Sequence, residues 1–274
     1  TPAYGFEWWR SREVIRAMFD PITQALIKEG GIIAGQSVLD VAAGPGEPSL
    51  TIAKIVGLAG LVTCTDGVAE MVAAAESAAQ RLGRKNMRFQ QCTADSLPFD
   101  SDSFDTVVCR LGVMFFPDPL AALREMLRVI KPGGTISLAV WHKSEANPYA
   151  HRVTEVVDRY LETPPVDADA PGAFRFAEPG KLAAILTKAG AVDVYESLLQ
   201  FRMEAPISFE EFWTMRSEIS ETLREKLKRL TPEQVFRVST EVHEAVGEFF
   251  PNGKMSFPAE IIVVTGTKAA TRER

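Results

Sequence analysis

The stretch VLDVAAGPGEPSLTI, residues 38–52, decides the fold. It opens as an apolar run interrupted by Asp40, which predicts a strand, and it continues with Pro48 in a position that suits the first turn of a helix. Between them stand Gly44 and Gly46. Because glycine has no Cβ and tolerates positive φ, such a turn lets a ligand lie against bare backbone, and the amides of the following helix point toward it. The stretch therefore predicts a strand, a ligand-binding turn and a helix.

Strands and helices alternate on both sides of this stretch. Short apolar runs bounded by turn residues predict strands, and longer runs with helical spacing predict helices. Such alternation implies right-handed crossovers and a parallel sheet covered by helices on both faces. The predicted strands are 37–41, 61–65, 87–92, 104–111, 135–141, 191–199 and 259–267, and the predicted helices between them are 48–56, 68–81, 119–129 and 179–189. The fold class is therefore α/β, with a doubly wound, mostly parallel seven-stranded sheet.

Other segments flank or interrupt this pattern. Residues 4–29 are helical in pattern, and Pro21 is expected to split them into two helices. The sequence Lys-Pro-Gly-Gly at 131–134 predicts a turn, and the charged stretch 208–250 predicts helices with a break at Thr231-Pro232. We expect an N-terminal helical lid at 1–30 and one domain at 31–274, with helical insertions at about 142–178 and 206–256.

The composition excludes several classes of protein. With 46% apolar residues in a chain of 274, a large core can be buried. The formal net charge is −6, with both signs spread along the chain, which argues against a nucleic-acid partner. No apolar run reaches the roughly 18 to 20 residues of a membrane helix, and the N-terminus lacks a charged-then-apolar signal pattern. We therefore expect a cytoplasmic protein, monomer or homodimer, with a small-molecule partner.

The three cysteines, Cys64, Cys92 and Cys109, all lie in apolar runs that predict strands. No two of them have the CxxC spacing of a metal or redox site, and an odd count does not suit a disulfide framework. Free cysteine is among the most buried residue types in proteins. We therefore expect reduced thiols in the core and no metal site.

Several polar or small residues follow directly after predicted strands. Ligands of open α/β sheets bind beyond the carboxyl ends of the strands, so these positions are expected to meet in one crevice. Each aspartate taken singly is also a common turn or capping residue, but three after consecutive strands favour a ligand site. The positions are Asp40 with Gly44 and Gly46 after the first strand, Asp66 after the second, Ala94-Asp95-Ser96 after the third, and Arg110-Leu111-Gly112 after the fourth.

A dinucleotide is one candidate ligand for this crevice. Its fingerprint, GxGxxG or GxGxxA, needs a third small residue that lets helix and sheet pack closely around the pyrophosphate. Here Ser49 holds the third position, and Glu47 adds a negative charge beside the expected phosphate site. The loop is therefore poorly suited to an anionic diphosphate, and a nicotinamide-dependent oxidoreductase is kept only as an alternative.

Five motifs, in order, resemble those of one enzyme family. They are VLDVAAGPG at 38–46, TDGVAEM at 65–71, ADSLPF at 94–99, SFDTVVCR at 103–110 and RVIKPGG at 128–134. The set is similar to that of the class I S-adenosylmethionine-dependent methyltransferases, above all to the branch of the ubiquinone and menaquinone biosynthesis C-methyltransferases. The resemblance covers roughly residues 30 to 141 and implies a Rossmann-like methyltransferase fold whose last strand is antiparallel.

The resemblance implies S-adenosylmethionine as cofactor and S-adenosylhomocysteine as product. The two glycines would pass the methionine moiety, and Asp40 and the carbonyl of Arg110 would receive its ammonium. Asp66 would accept hydrogen bonds from the ribose hydroxyls, and Asp95 and the amide of Ser96 would contact the adenine. The expected cofactor-binding residues are Asp40, Ala42, Gly44, Gly46, Asp66, Gly67, Met71, Ala94, Asp95, Ser96, Arg110 and Leu111.

Methyl transfer is an in-line displacement, so the protein mainly positions and desolvates the two reactants. A general base is needed only when the acceptor atom carries a proton; His142 and His151 are the candidates, with a surface or capping role as the alternative. An apolar, aromatic-lined pocket is expected for the acceptor. Its candidate residues are Trp8, Trp9, Met114, Phe115, Trp141 and Tyr149. A core position is the alternative for Met114, Phe115 and the tryptophan pair.

The sequence thus predicts a methyltransferase whose acceptor is a small, apolar or aromatic molecule, such as a quinol or a phenol. A non-catalytic binding module that keeps the methyltransferase fold is a further alternative, because a fold does not determine a function. The intact set of Gly44, Gly46, Asp66 and Asp95 argues against that alternative.

Overall fold

The computed structural model describes residues 6–161, 167 and 169–270, without the side chains of residues 6–11, 219, 221 and 222. In this part of the chain, seven strands form one sheet in the order β3-β2-β1-β4-β5-β7-β6. The strands are β1 (Ser37–Val41), β2 (Leu61–Asp66), β3 (Met87–Gln91), β4 (Phe104–Arg110), β5 (Ile130–Trp141), β6 (Ala191–Ala205) and β7 (Met255–Lys268). The pairings among β1 to β5 are parallel, and β7 runs antiparallel to β5. The predicted fold class is confirmed.

Helices connect these strands. The described helices are α1 (Phe6–Glu29), α2 (Ser49–Val56), α3 (Ala69–Arg81), α4 (Pro119–Val129), α5 (Pro148–Asp158), α6 (Lys181–Ala189), α7 (Phe209–Ile219), α8 (Glu221–Lys228) and α9 (Pro232–Val246). Two residues fix the start of α4. Asp118 Oδ1 accepts a hydrogen bond from the amide of Ala121 at 3.0 Å and so caps the helix, and Pro119 occupies its first turn. All four helices predicted between strands are present.

The prediction that Pro21 splits the N-terminal helix is wrong, because α1 is continuous through it. Proline lacks an N–H group, so one hydrogen bond of the helix ladder is missing at that point. Met18 and Ile22 stand on either side of the proline and are buried, with exposed fractions of 1% and 0%. Burial of apolar side chains at helical spacing therefore outweighs the missing hydrogen bond.

The prediction of a separate turn at residues 131–134 is also wrong, since β5 runs through this segment. The pairing of β5 with β4 shifts there, because Ile130 lies opposite Phe104 and Thr135 lies opposite Thr106. The intervening residues form a bulge within the strand. A Cβ on Gly134 would lie 2.6 Å from the carbonyl oxygen of Asp105, so the bulge requires glycine at that position.

The helical stretch after β6 breaks twice. The predicted break at Thr231 is confirmed: Thr231 and Gln234 form a reciprocal capping box at the start of α9. A second break, which the sequence analysis missed, falls at Ser220, whose hydroxyl accepts a hydrogen bond from the amide of Leu223 at 3.2 Å. Serine, like threonine, favours this capping geometry over a helix interior.

The chain divides into two compact units. The sheet unit comprises residues 21–142, 169–199 and 261–274, and the helical unit comprises residues 1–20, 143–168 and 200–260, as far as each is described. The core of the sheet unit includes Val38, Ile52, Val62 and Val108, which pack between β1, β2, β4 and α2. The predicted lid at 1–30 and the predicted single domain at 31–274 stay predictions.

An aromatic cluster forms the core of the helical unit. Phe257 stacks on Phe212 with a ring-centroid distance of 5.4 Å and on Phe249 with a distance of 4.7 Å. Tyr149 meets Phe257 and Phe19 edge to face at 5.8 and 6.0 Å. Each such pair adds to the free energy gained by burying the rings.

Among the described helices of the chain, none combines the length and the apolar character that crossing a membrane requires.

Asn147 generates a test of the helical unit. Its fully buried side chain donates to the carbonyl oxygens of Lys143 and Glu260 at 3.0 Å and accepts from the amide of Glu260 at 2.9 Å. Asn147→Ala removes all three hydrogen bonds, so we expect the free energy of unfolding to fall by about 2 to 4 kcal/mol in urea titrations. Gln200→Ala, which removes an exposed hydrogen bond to Glu260, is the matched control and should cost under about 1 kcal/mol. Equal losses for the two variants would contradict the prediction.

Candidate functional site

The glycine turn lies at the carboxyl end of β1 and leads into α2. The amide of Ala43 donates to the carbonyl oxygen of Thr65 at 2.9 Å, so the turn begins as a continuation of the β1–β2 ladder. Gly46 has φ +108°, and a Cβ there would lie 3.1 Å from the Cβ of Ala75 on α3. Gly44 has φ +56°, and a Cβ there would meet no described atom within 4 Å. Gly46 therefore allows α3 to pack closely against the turn, whereas Gly44 exposes its backbone to open space.

Asp40 closes the turn from within the core. It is fully buried, and its Oδ2 accepts hydrogen bonds from the amide of Ser49 at 3.0 Å and from the Ser49 hydroxyl at 2.6 Å. Its other oxygen, Oδ1, is buried and has no hydrogen-bond partner among the residues that the structure describes. Buried polar atoms are nearly always paired, so an orphaned carboxylate oxygen here indicates a ligand or water as its partner.

The protonation of Asp40 follows from this environment. Burial raises the pKa of Asp40 to about 7, although the hydrogen bonds from Ser49 and the nearby charge of Arg110 act in the opposite direction. A charged group that donated to Oδ1 would favour the ionised carboxylate. Asp40 is therefore both a structural residue, which holds the start of α2, and a candidate ligand contact.

Asp66 ties the turn after β1 to the turn after β2. Its Oδ2 accepts a hydrogen bond from the amide of Gly44 at 2.9 Å, and its Oδ1 accepts one from the amide of Val68 at 2.9 Å. A carboxylate has about four lone-pair sites, so each oxygen keeps the capacity for one further hydrogen bond. The side chain is half-buried, so its two oxygens are available as acceptors for a ligand with two adjacent hydroxyls.

Two non-glycine residues at this end of the sheet have a strained backbone. Ala42 has φ +57° and Leu111 has φ +59°, in the left-handed region that L residues other than glycine rarely adopt. A Cβ on Gly112 would lie 2.6 Å from the Cβ of Ala42 and 2.9 Å from the Sγ of Cys109, so the ends of β1 and β4 touch there. Such strain costs about 1 to 3 kcal/mol per residue and is found mainly at functional sites.

The loop after β3 supplies the remaining cofactor candidates. Asp95 and Ser96 are exposed, and Ala94 is half-buried. The amide of Ser96 donates to the carbonyl oxygen of Thr93 at 3.3 Å, a long contact. Among the other candidates, the carbonyl oxygen of Gly67 accepts from the Gln91 side chain at 3.1 Å, and Met71 on α3 is 39% exposed.

The side chain of Arg110 was not singled out by the sequence analysis, which considered only its carbonyl group. Its Nη2 donates to the carbonyl oxygen of Glu47 at 2.8 Å, and its Nη1 donates to the hydroxyl of Thr23 on α1 at 2.9 Å. The guanidinium therefore joins the glycine turn to α1. An arginine at the end of a strand that lines a ligand crevice was the available signal, because its five donors suit such bridging.

The predicted acceptor and catalytic residues of the sheet unit differ in exposure. Met114 is fully buried, which agrees with the core alternative, whereas Phe115 is 53% exposed. Trp141 is buried at the end of β5, and His142, which follows it, is half-buried. Their roles toward an acceptor stay predictions.

The predicted residues of the helical unit include a buried tyrosine. Tyr149 is 6% exposed, lies in the aromatic cluster and has the guanidinium carbon of Arg216 at 4.7 Å from its ring centroid. His151 on α5 lies with Nε2 at 3.5 Å from Glu155 Oε2. Trp8 and Trp9 belong to α1, but their side chains fall outside the described residues.

The three cysteines are free thiols. Cys64 and Cys109 are buried as predicted, but Cys92 is only half-buried because it follows the edge strand β3. Burial raises the pKa of Cys109 to about 12, so this thiol is unreactive at neutral pH. No group of three or more His, Cys, Asp and Glu side chains within the described part of the chain is arranged to hold a metal ion.

Asp40→Asn tests the buried carboxylate through the pH dependence of stability. The ordinary pKa of 3.8 applies to the unfolded chain, and the native value is about 7. Between these values the unfolded state has released the proton that the native state still holds, so the wild type loses stability as pH rises, by up to about 1.4 kcal/mol per pH unit. Above about pH 7 both states are ionised, and this loss stops.

The measurement is urea unfolding of the wild type and the variant between about pH 5 and about pH 8. Because asparagine does not ionise, the free energy of unfolding of the wild type should fall relative to that of Asp40→Asn up to about pH 7 and then run parallel to it. A difference between the two proteins that stays constant from about pH 5 to about pH 7 would show that the carboxylate is already ionised in the native state, and it would contradict the prediction.

Comparison with known proteins agrees with the fold and with the resemblance of the motifs. Residues 21–155 match the ubiE/COQ5 methyltransferase family. An uncharacterized protein of Mycobacterium tuberculosis is 38% identical over 166 residues, which cover 61% of this chain and 57% of that protein. The ubiquinone/menaquinone biosynthesis C-methyltransferase UbiE of Hahella chejuensis is 35% identical over 131 residues, which cover 47% of this chain and 52% of that enzyme. The chain thus spans about half the length of the curated relatives that it matches.

A solved structure supports the same fold. The YcgJ protein of Bacillus subtilis superimposes with a TM-score of 0.57 at 24% sequence identity, over 91% of this chain and 98% of that one. At this identity the likeness concerns the fold alone. The motif order, the seven-stranded sheet with its antiparallel β7 and the match over residues 21–155 agree: the sheet has the class I methyltransferase fold, and this part of the chain is similar to the ubiE/COQ5 methyltransferases.

Proposed function

We propose that this protein is an S-adenosylmethionine-dependent methyltransferase that acts on a small, apolar or aromatic acceptor. The observation that carries the proposal is the orphaned Oδ1 of the buried Asp40, next to a turn in which Gly44 is open and its amide is held by Asp66. The ubiE/COQ5 match over residues 21–155 supports the same activity, as does the name of the UbiE relative.

The residues of the turn fit this cofactor better than a dinucleotide. S-adenosylmethionine carries an amino acid, a sulfonium, a ribose and an adenine, and it has no phosphate. Asp40, Glu47 and Asp66 bring three carboxylates to the turn, which favours a cationic ligand over an anionic diphosphate. The open backbone at Gly44 leaves room for the methionine moiety, and the orphaned Asp40 Oδ1 is an acceptor for its ammonium, directly or through a water.

The nucleoside part would follow β2 and β3. Asp66 has free acceptor capacity for the ribose hydroxyls, and the exposed Asp95 offers an acceptor for the adenine amino group. Met71 and Leu111, one exposed and one strained into the left-handed region, offer apolar surface for the two faces of the adenine. The carbonyl oxygen of Arg110 is a second acceptor for the ammonium.

The cofactor supplies a methyl group already activated by the sulfonium. The residues of this chain therefore bind and orient the cofactor and the acceptor and exclude water. The glycine turn, which is strained and held by several hydrogen bonds, keeps its groups in place before the ligand arrives. A proton has to be removed only if the acceptor atom carries one, and His142 and His151 are proposed for that step. Trp141, Tyr149, Met114, Phe115 and the Trp8-Trp9 pair are proposed for the acceptor. A cytoplasmic location and the absence of a nucleic-acid partner stay predictions.

Asp66→Ala tests the cofactor assignment. The substitution removes the acceptors for the ribose hydroxyls and the anchor of the Gly44 amide, so we expect the dissociation constant of S-adenosylhomocysteine to rise at least about tenfold in calorimetric titrations. Glu76→Gln, on the exposed face of α3, is the matched control and should bind like the wild type. Unchanged affinity of Asp66→Ala would reject the ribose contact.

The same titration separates the proposed function from its alternative. Binding of a nicotinamide dinucleotide by the wild type, together with no binding of S-adenosylhomocysteine, would replace the methyltransferase by an oxidoreductase. Incubation with methyl-labelled cofactor and a panel of quinols and phenols then tests the acceptor class by mass spectrometry. Label on protein or nucleic acid, with none on the panel, would reject a small apolar acceptor.

A further inference from the structure

The β3–β4 connection, residues 92–103, carries three of the cofactor candidates without regular secondary structure of its own. All of its residues are described, and they form neither helix nor strand. Asp95 and Ser96, in the first half of this connection, are exposed. Fixing the backbone of such a segment costs conformational entropy at every residue, so a ligand that had to order it would bind weakly. The segment therefore needs supports from elsewhere in the sheet unit.

Two residues of α4 support the segment directly after Ser96. Glu125 Oε2 accepts a hydrogen bond from the amide of Leu97 at 3.2 Å. Arg128 donates from Nη2 to the carbonyl oxygen of Leu97 at 2.9 Å and from Nη1 to the carbonyl oxygen of Phe99 at 2.8 Å. Both polar groups of the Leu97 backbone are thus held by the side chains of one helix.

Glu125 and Arg128 also hold each other. The Nε and Nη2 atoms of Arg128 each lie 2.8 Å from a different oxygen of Glu125, which is the bidentate geometry of a strong arginine–carboxylate pair. The hydrogen bonds from Arg128 and from the Leu97 amide lower the pKa of Glu125 against the opposing effect of burial. The pair is one rigid unit, because each partner restricts the rotamers of the other, and we call it the α4 clamp.

The far end of the connection is held at the same place. Lys268 Nζ, at the end of β7, donates to Asp102 Oδ1 at 2.7 Å and to the carbonyl oxygens of Arg128 and Ile130 at 2.9 and 2.8 Å. The amide of Ser103 donates to the carbonyl oxygen of Val129 at 2.8 Å. The connection is therefore fastened to the end of α4 on both sides, and residues 94–96 project from a fixed base.

We propose that Glu125 and Arg128 are positioning residues that hold Asp95 and Ser96 in the geometry that reads the adenine base. The inference rests on the proposed function, since it assumes that these residues meet the nucleoside of S-adenosylmethionine. Neither clamp residue touches the ligand in this assignment; both act through the backbone of Leu97. Recognition by a carboxylate and an amide depends on placement within a few tenths of an ångström, which a loosened segment loses.

The test compares two ligands that differ at one group of the base. S-adenosylhomocysteine carries an amino donor, and S-inosylhomocysteine, its deaminated analogue, carries a carbonyl oxygen that the Asp95 carboxylate repels. We expect the wild type to prefer the adenosyl ligand at least about tenfold in calorimetric dissociation constants. Arg128→Met should bring that ratio below about threefold, and Arg124→Met, an exposed arginine of the same helix, should keep the wild-type ratio.

The ratio of the two dissociation constants is informative because a purely structural effect would weaken the binding of both ligands by the same factor. Arg128→Lys keeps the charge but cannot span two carbonyl groups and a carboxylate, so it should give an intermediate ratio and guards against a variant that does not fold. Hydrogen exchange without ligand is the second readout: the amides of Leu97 and Phe99 should exchange at least about tenfold faster in the Arg128 variants, while those of β4 keep their protection.

The outcomes separate this inference from the proposed function. If the wild type binds neither ligand, the proposed function fails and the base-reading role fails with it. If the wild type binds S-adenosylhomocysteine and Arg128→Met keeps the full preference, only the role of the α4 clamp is overturned. If the wild type binds both ligands without preference, cofactor binding stands, but the adenine contact of Asp95 and the role of the α4 clamp are both overturned. Unchanged exchange of the Leu97 amide in both Arg128 variants would likewise overturn it.

Discussion

The two hydrogen bonds between Asp40 and Ser49 are the constraint on which the ligand end of the sheet depends. They join the end of β1 to the first residue of α2 across the glycine turn, and both hydrogen bonds lie inside the core. Because the acceptor is a carboxylate that burial keeps near its titration point, the turn combines a rigid scaffold with a group that responds to charge. The positions of Gly44 and Asp66 follow from that anchor.

The arrangement of strands could be predicted because each crossover left a local signal. Apolar runs ending at or next to Asp40, Asp66 and Arg110 marked three strand ends, and Asp118-Pro119 marked the start of α4. Pro21 and the bulge at 131–134 were misread for one reason: local preference favoured a break, and tertiary burial or sheet pairing outweighed it. Neither effect is visible in a window of ten residues.

The site was predictable in outline but not in its connections. Residue types after consecutive strands identified the backbone and carboxylate candidates, since strand ends of a parallel sheet converge. The partners of Asp40 and the bridge from Arg110 to Thr23 depend on side-chain directions, and the last of these pairs is separated by 87 residues. Spacing in sequence carries no information about contacts of that range, so Ser49 entered the sequence analysis only as an argument about phosphate.

Lys268 also has a consequence for the order in which the protein is built. Its contact with Asp102 joins residues 166 positions apart, and the strand that carries it, β7, leaves the ribosome after the other six strands of the described sheet. Until β7 has paired with β5, the far end of the β3–β4 connection lacks the Lys268 contact and is held only through the backbone, by hydrogen bonds such as that of the Ser103 amide. Contacts of such long range form late in folding because loop closure has to come first. The nucleoside side of the site is therefore completed after the contacts of the glycine turn with Ser49 and Asp66, which join residues only 9 and 22 positions apart.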